Sequence, residues 1–286
     1  MLALLKILSI FRIIHARWVV TLNKAPNEIF QRDVGNKNST KVFYILGCGS
    51  SINHLSDREI KIINRSVSVG INLLIMHEQV KPTFYSVELS DSGSDGKVKN
   101  SQMCCELIKK KALKDKDLKF IINVDNWPTV KRMMPDILNY GQINLVQQVT
   151  IPGRTKIYFQ KLHRFLISKY VIKLLRPEMI YGKNASVVAL VYLAILRGYK
   201  DIVLFGVDLT SEYFWEIEDN IKKYPGSEKF INMHKSLNLK HQTDMTPLPV
   251  SEVLTSINDS NCGITIWVGS SVSQLADHLP VFSFDE

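Results

Sequence analysis

Residues 183–210, "KNASVVALVYLAILRGYKDIVLFGVDLT", constrain the fold more than any other stretch. Asn184 is suited to cap a helix that runs to about Arg197, because its side chain can accept from a first-turn amide. Gly198 is suited to end that helix, since glycine takes the left-handed cap without cost. "DIVLFGVDL" then reads as a buried strand with Asp208 at its carboxyl end. A helix followed at once by a buried strand is half of a repeating crossover unit.

The rest of the chain alternates in the same way. "KNSTKVFYILGCG" predicts a polar loop and a buried strand ending near Leu46, and residues 51–64 carry apolar side chains at helical spacing. "SVSVGINLLI" (66–75) and "PTFYSVEL" (82–89) predict a second and a third strand. Gly93 and Gly96 mark a loop, and residues 101–115 a helix whose Lys109, Lys110, Lys111 and Lys114 form a solvated face. "LKFIINV" (118–124) and "QINLVQQV" (142–149) are further strands, and 153–177 is helical and basic. After an irregular, aromatic stretch at 211–247 come a helix (250–259), a strand (263–269) and a short helix in "SVSQLADHL". Alternation of this kind predicts an α/β class with a mostly parallel sheet in one Rossmann-like domain. That domain spans 40–210 and 248–286, with 211–247 as a lid or small acceptor subdomain and 1–22 as a separate N-terminal helix.

The chain of 286 residues carries a net charge of +9, which fits an anionic substrate, an anionic membrane surface or nucleic acid alike. Four cysteines, Cys48, Cys104, Cys105 and Cys262, form no CxxC pair, which argues against a zinc site or a disulfide framework and for a reducing cytoplasm. The opening "MLALLKILSIFRIIHARWVV" is apolar but broken by Lys6, Arg12 and Arg17, so it falls short of the roughly 18 uninterrupted residues of a spanning helix. No small-residue cleavage site follows it. On a helical wheel Lys6, Ser9, Arg12 and Arg17 share one stripe, opposite Leu4, Ile7, Leu8, Phe11, Ile14 and Trp18. Such a helix suits a membrane interface first, and packing on the domain or at a subunit contact second.

"YILGCGSSINHL" (44–55) runs from strand through glycine turn to helix start. Glycine there lets backbone approach a ligand, and a helix start offers amides to an anion. The dinucleotide fingerprint is incomplete, because its third glycine position is Ile52 and the expected acid about 20 residues on is replaced by Asn72. That argues against a NAD site and weakens a methyltransferase. No GxxxxGK[ST] run is present, which argues against common P-loop kinases though not against every ATP user.

Taken in order, "ILGCGSSINHL", "VGINLL", "PTFYSVEL", "NASVVALVYLAILRGYKDIVLFGVDLT", "HQTDMTPLPVSEVL" and "ITIWVGSSVSQLADHL" resemble the bacterial lipooligosaccharide sialyltransferases of glycosyltransferase family 42, over about residues 41–280. The "GYKDI" strand unit is shared with other Rossmann-like proteins, among them a pterin pyrophosphokinase-like group. The resemblance implies a glycosyltransferase A variant fold and transfer of a nonulosonic acid from its cytidine monophosphate (CMP) ester to a sugar hydroxyl. It implies that Gly47, Cys48, Gly49 and Ser50 meet the nucleotide phosphate, that Asn72 and Ser86 bind the nucleotide, that Asn184 and Ser186 stand at the donor, and that Asp208 helps hold the nucleotide. The family usually has asparagine at the positions of Cys48 and Ser86. Thr210 and Tyr213 match tyrosines that hydrogen-bond the leaving phosphate, and His241 matches the catalytic histidine.

The implied chemistry is self-consistent. A phosphate is already a good leaving group, so hydrogen-bond donors aimed at its developing charge suffice in place of a strong acid. The attacking hydroxyl must lose a proton, work that suits a histidine near neutral pH. Attack opposite the phosphate inverts the anomeric centre. No dense Asp/Glu/His cluster marks a metal site; Asp208 alone could hold ribose or a divalent metal, and no cofactor is required. The expected partners are a CMP-activated sugar donor and a lipid-linked or lipooligosaccharide glycan acceptor. A peripheral contact with the inner face of a bacterial inner membrane, a homo-oligomer and no nucleic acid complete the picture. An ATP-dependent Rossmann-like pyrophosphokinase and a non-catalytic nucleotide-binding or membrane-associated protein stand as the alternatives.

Overall fold

The structure is a computed structural model and describes residues 1–23, 42–93, 95–153, 155–175, 178–183, 185–209, 213–215 and 248–284. Eight parallel strands form one sheet in the order β6-β5-β4-β3-β2-β1-β7-β8. They are β1 (Val42–Leu46), β2 (Ser68–Ile71), β3 (Phe84–Ser86), β4 (Lys119–Asn123), β5 (Gln142–Thr150), β6 (Met179–Gly182), β7 (Asp201–Phe205) and β8 (Thr265–Val268). The helices are α1 (Leu2–Asn23), α2 (Asp57–Arg65), α3 (Asp95–Lys114), α4 (Trp127–Met133), α5 (Lys156–Leu166), α6 (Lys169–Ile172), α7 (Ser186–Leu196) and α8 (Val250–Asn258). The predicted α/β class holds, and the sheet is parallel throughout.

Alternate side chains of each strand go to opposite faces, and this sheet buries both. Phe43 and Ile45 of β1 join Ile202 and Leu204 of β7 in a core with α1, α5, α7 and α8. Tyr44 and Leu46 join Val203 and Phe205 in a second core with α2, α3 and α4. From Val187 to Ile195 every side chain of α7 is buried, so this helix is held by packing rather than by an amphipathic face.

Several elements differ from expectation. The predicted helix over 51–64 is two pieces: a 3-10 turn (Ser50–His54) and then α2. The restart has a local cause. Ser56 accepts from the Glu59 amide while the Glu59 carboxylate accepts from the Ser56 amide at 2.7 Å, a reciprocal capping box. Residues 153–177 likewise contain two helices, α5 and α6, rather than one. The N-cap of α7 is Ala185, with no side-chain cap, and Asn184 lies outside the described residues. Gly198 does end α7, in left-handed geometry (φ 88°). β6 and α4 were not expected. Of the lid at 211–247 only 213–215 are among the described residues.

The chain lays β1 to β6 outward in one direction and then returns to place β7 on the other side of β1. Between β1 and β7 the order reverses, and in doubly wound sheets the crevice for a ligand opens there, beyond the strand carboxyl ends.

Candidate functional site

At that switch point β1 and β7 approach closely. The Gly47 amide donates to the Phe205 carbonyl and the Gly49 amide to the Gly206 carbonyl, both at 2.7 Å. A Cβ on Gly47 would lie 2.2 Å from the Gly206 oxygen, and one on Gly49 2.3 Å from Asp208 Oδ2. Glycine is therefore required here by the neighbouring strand itself. Gly206 adds a left-handed φ of 64°.

Asp208 is buried and turned onto this turn. Its Oδ2 accepts from the Ser51 amide at 2.7 Å and its Oδ1 from the Ser51 hydroxyl at 2.5 Å. The Ser51 hydroxyl accepts in turn from the Gly206 amide at 3.1 Å. The anion that these turn donors hold is thus the chain's own carboxylate. The start of the lid region clamps the same turn: Phe214 donates its amide to the Cys48 carbonyl at 2.9 Å, Tyr213 bridges Gly49, and Asn53 Nδ2 donates to the Phe214 carbonyl at 3.0 Å.

Around these residues opens a cleft of about 780 Å³, within the range of small-molecule sites. Among the sequence-predicted residues Gly47, Cys48, Gly49, Asn72, Ser186, Asp208 and Tyr213 line it. Ser50 and Ser86 are not among its lining residues. Thr210, Asn184 and His241 lie outside the described residues.

Cys48 is half-buried and donates its thiol to the Ile71 carbonyl at 3.2 Å. Burial pushes the thiol up to about 12, against a smaller opposing pull from the Leu73 and Leu74 amides. It is a neutral thiol near pH 7 and no nucleophile. Asn72 follows β2 with a left-handed φ of 51°, a conformation asparagine tolerates better than most residues, and it is exposed on the cleft. Leu209, the residue after Asp208, also sits left-handed at φ 57°, a costlier choice for a bulky side chain beside a cleft.

Ser186 opens α7, and Ala185 before it has no side-chain oxygen with which to cap the first turn. Ala185, Ser186 and Val187 all face the cleft, so the positive end of an 11-residue helix points into it. The Ser186 hydroxyl donates to Glu88 Oε2 at 2.7 Å.

The sequence reading missed one wall. Glu88, Ser90, Asn123, Asp125 and Asn126 line the cleft from the carboxyl ends of β3 and β4, with Asn100 and Ser101 of α3 behind them. The signal was the polar run that follows each apolar strand, "VELSDS" and "NVDN". Part of this wall is structural: Asn126 both donates to and accepts from the Leu89 backbone, at 2.6 and 3.0 Å. Tyr213 and Trp215 stack at 4.6 Å and form an aromatic edge. The charged side chains among the described lining residues are Glu88, Asp125 and Asp208, so the net positive charge of the chain lies elsewhere. Among the described residues no group of three His, Cys, Asp or Glu side chains is placed to hold a metal ion.

Parallel sheet, switch point and cleft define a Rossmann-like α/β chain. Two solved structures of the sialyltransferase CstII from Campylobacter jejuni are similar to it. One is a complex with a substrate analogue, CMP-3FNeuAc, at 15% identity over 85% of this chain and 86% of that one, with a TM-score of 0.40. The other is a complex with cytidine-5'-monophosphate, at 15% identity over 85% of each chain, with a TM-score of 0.34. No protein-family model matches the chain, and no curated protein does.

Proposed function

We propose that this chain is an inverting glycosyltransferase that takes a CMP-activated nonulosonic acid, or a related 2-keto sugar acid, and transfers it to a bacterial surface glycan. The observation that supports this reading is convergence. Gly47, Cys48, Gly49, Asn72, Ser186, Asp208 and Tyr213, which the family resemblance singles out from stretches far apart in sequence, line one cleft at the switch point.

In this reading the phosphate is bound by the uncapped start of α7. Its first-turn amides supply uncharged donors and the helix dipole favours the anion, while the Ser186 hydroxyl, which donates to Glu88, reaches the phosphate only by leaving that carboxylate. The glycine turn has a different part from the one first expected. The Gly47, Gly49 and Ser51 amides of the turn are taken by Phe205, Gly206 and Asp208, so these residues fix the cleft wall and Asp208 acts as a positioning residue. Asn72 meets the nucleotide from the β2 side. The Tyr213 and Thr210 hydroxyls stabilise charge on the departing phosphate. His241 takes the proton of the acceptor hydroxyl, and that hydroxyl attacks from the face opposite the phosphate, inverting the anomeric carbon. The acceptor is a lipid-linked or lipooligosaccharide glycan met on the cytoplasmic side of the inner membrane, and the working form is a homo-oligomer.

The test follows release of CMP from CMP-N-acetylneuraminate by proton NMR, with the parent chain and with His241→Ala. Chain-dependent release that falls by roughly 10²–10⁴-fold in the variant supports the assignment. Full release by a variant that still binds CMP would remove His241 from the mechanism.

A further inference from the structure

α1 lies on the domain through a mixed face of Leu5, Ser9, Ile10, Ile13 and Ala16. Ser9, Ile13 and Ala16 are buried, and the helix packs on β5, β6 and α5. Lys6 stands over the Phe165 ring at 5.1 Å, and the Arg12 guanidinium donates to the Thr150 carbonyl at 2.7 Å. The outward stripe is Leu4, Ile7, Phe11, Ile14 and Trp18, each more than half exposed. At 1.5 Å per residue it is about 20 Å long, and a contiguous apolar stripe on a surface marks an interaction site. α5, which packs on α1, and α6, which packs on α5, also expose apolar side chains, Ile157 by 64% and Tyr170 by 85%.

Charge selects the occupant. α1 has no acidic residue, and no aspartate or glutamate occurs from 137 to 177. On α5 Lys156 pairs with Asp259 at 3.1 Å, whereas Lys161, Lys169 and Lys173 (just past α6) have no ion-pair partner among the described residues. A second copy laid on this face would set like charges against each other; an anionic lipid surface complements them. No helix of the described residues is long and apolar enough to cross a membrane.

We infer that α1, with the neighbouring α5 and α6, docks on the surface of an anionic bilayer, the Leu4–Trp18 stripe lying at the headgroup–acyl boundary. The attracting charge comes from the lysines of the neighbouring helices, because Lys6 and Arg12 are turned to the domain. The inference does not depend on the transfer reaction.

Cosedimentation of the full chain with vesicles of phosphatidylcholine, alone or mixed with phosphatidylglycerol, tests it. Binding is expected on the mixed vesicles, weakened by salt, with a blue shift of Trp18 emission. Phe11→Ser/Trp18→Ser changes only exposed positions, keeps the parent circular dichroism, and lowers partitioning by at least about tenfold. Lys169→Glu/Lys173→Glu lowers it on the mixed vesicles alone. Absence of binding to mixed vesicles, or binding that ignores Phe11→Ser/Trp18→Ser, overturns the inference. So does a dimer in light scattering that the same double change dissolves, because the face would then belong to a second copy.

Discussion

Replacing Gly47 by alanine puts a methyl carbon 2.2 Å from the Gly206 oxygen and 2.8 Å from its carbonyl carbon, both backbone atoms. No side chain can swing away, so β1 and β7 must part by about 1 Å to restore an ordinary contact. That displacement takes the Gly47-to-Phe205 and Gly49-to-Gly206 hydrogen bonds, now 2.7 Å, beyond hydrogen-bond reach. Two such bonds contribute about 0.5–1.5 kcal/mol each, and forcing a closed core apart costs roughly 1–3 kcal/mol. The loss is then about 2–6 kcal/mol, a large share of a typical stability. Gly198→Ala is the control. A Cβ there meets nothing within 4 Å, so only the left-handed backbone (φ 88°) is penalised, by roughly 1–2 kcal/mol. Urea denaturation of parent and both variants measures the difference. A Gly47→Ala loss no larger than that of Gly198→Ala would refute the steric account and return the glycine to a role in ligand approach alone.

Three further outcomes follow from particular side chains. His163 is fully buried, bonded at Nδ1 to the Tyr192 hydroxyl at 2.8 Å and unpartnered at Nε2, and burial pushes its imidazole down to about 4. The unfolded chain therefore takes up a proton first, near pH 6.5, and stability is lost as pH falls from there to about 4, by roughly 3 kcal/mol from this group; a His163→Gln variant whose urea midpoints fall as steeply would contradict this. The Cys48 thiol, pushed up to about 12, should react with iodoacetamide in the native chain at pH 7.5 about a thousandfold more slowly than a free cysteine, read by peptide mass mapping; labelling at the free rate would be inconsistent with a buried thiol. Glu88 sets a carboxylate beside Ser186, so Glu88→Gln should tighten CMP binding about threefold to tenfold by removing a like charge; a weakened affinity would show that the carboxylate contacts the nucleotide instead.

Local chemistry that repeats along the chain is legible in the sequence. The α7–Gly198–β7 unit, the strand into Gly47 and the general α/β alternation all rest on periodicity and glycine placement. Features that depend on partners distant in sequence were not readable. Nothing near residue 51 foretells that its amide and hydroxyl are taken by residue 208. The break before α2 was in principle visible, since Ser56 and Glu59 have capping-box spacing, but the apolar spacing of 51–64 masked it. β6 is only four residues long and follows "LRPE", a context with no strand signal of its own. The wall formed by Glu88, Asn123 and Asp125 arises because parallel strands end side by side, a consequence of the topology rather than of any local motif. The wheel of α1 gave the apolar stripe that is exposed, but the face on the domain is Ser9, Ile13 and Ala16, and Arg12 and Arg17 of the expected polar stripe are exposed.

Calorimetric titration of CMP into the parent chain and into Ser186→Ala tests the central claim most directly. A single CMP site, weakened about fivefold to twentyfold by loss of the hydroxyl at the start of α7, with no comparable heat from ATP, is the predicted result. Heat from ATP and none from CMP would contradict the account and point to a pyrophosphokinase; equal CMP affinity in both chains would take the Ser186 hydroxyl out of the phosphate site and leave that site to the α7 amides alone.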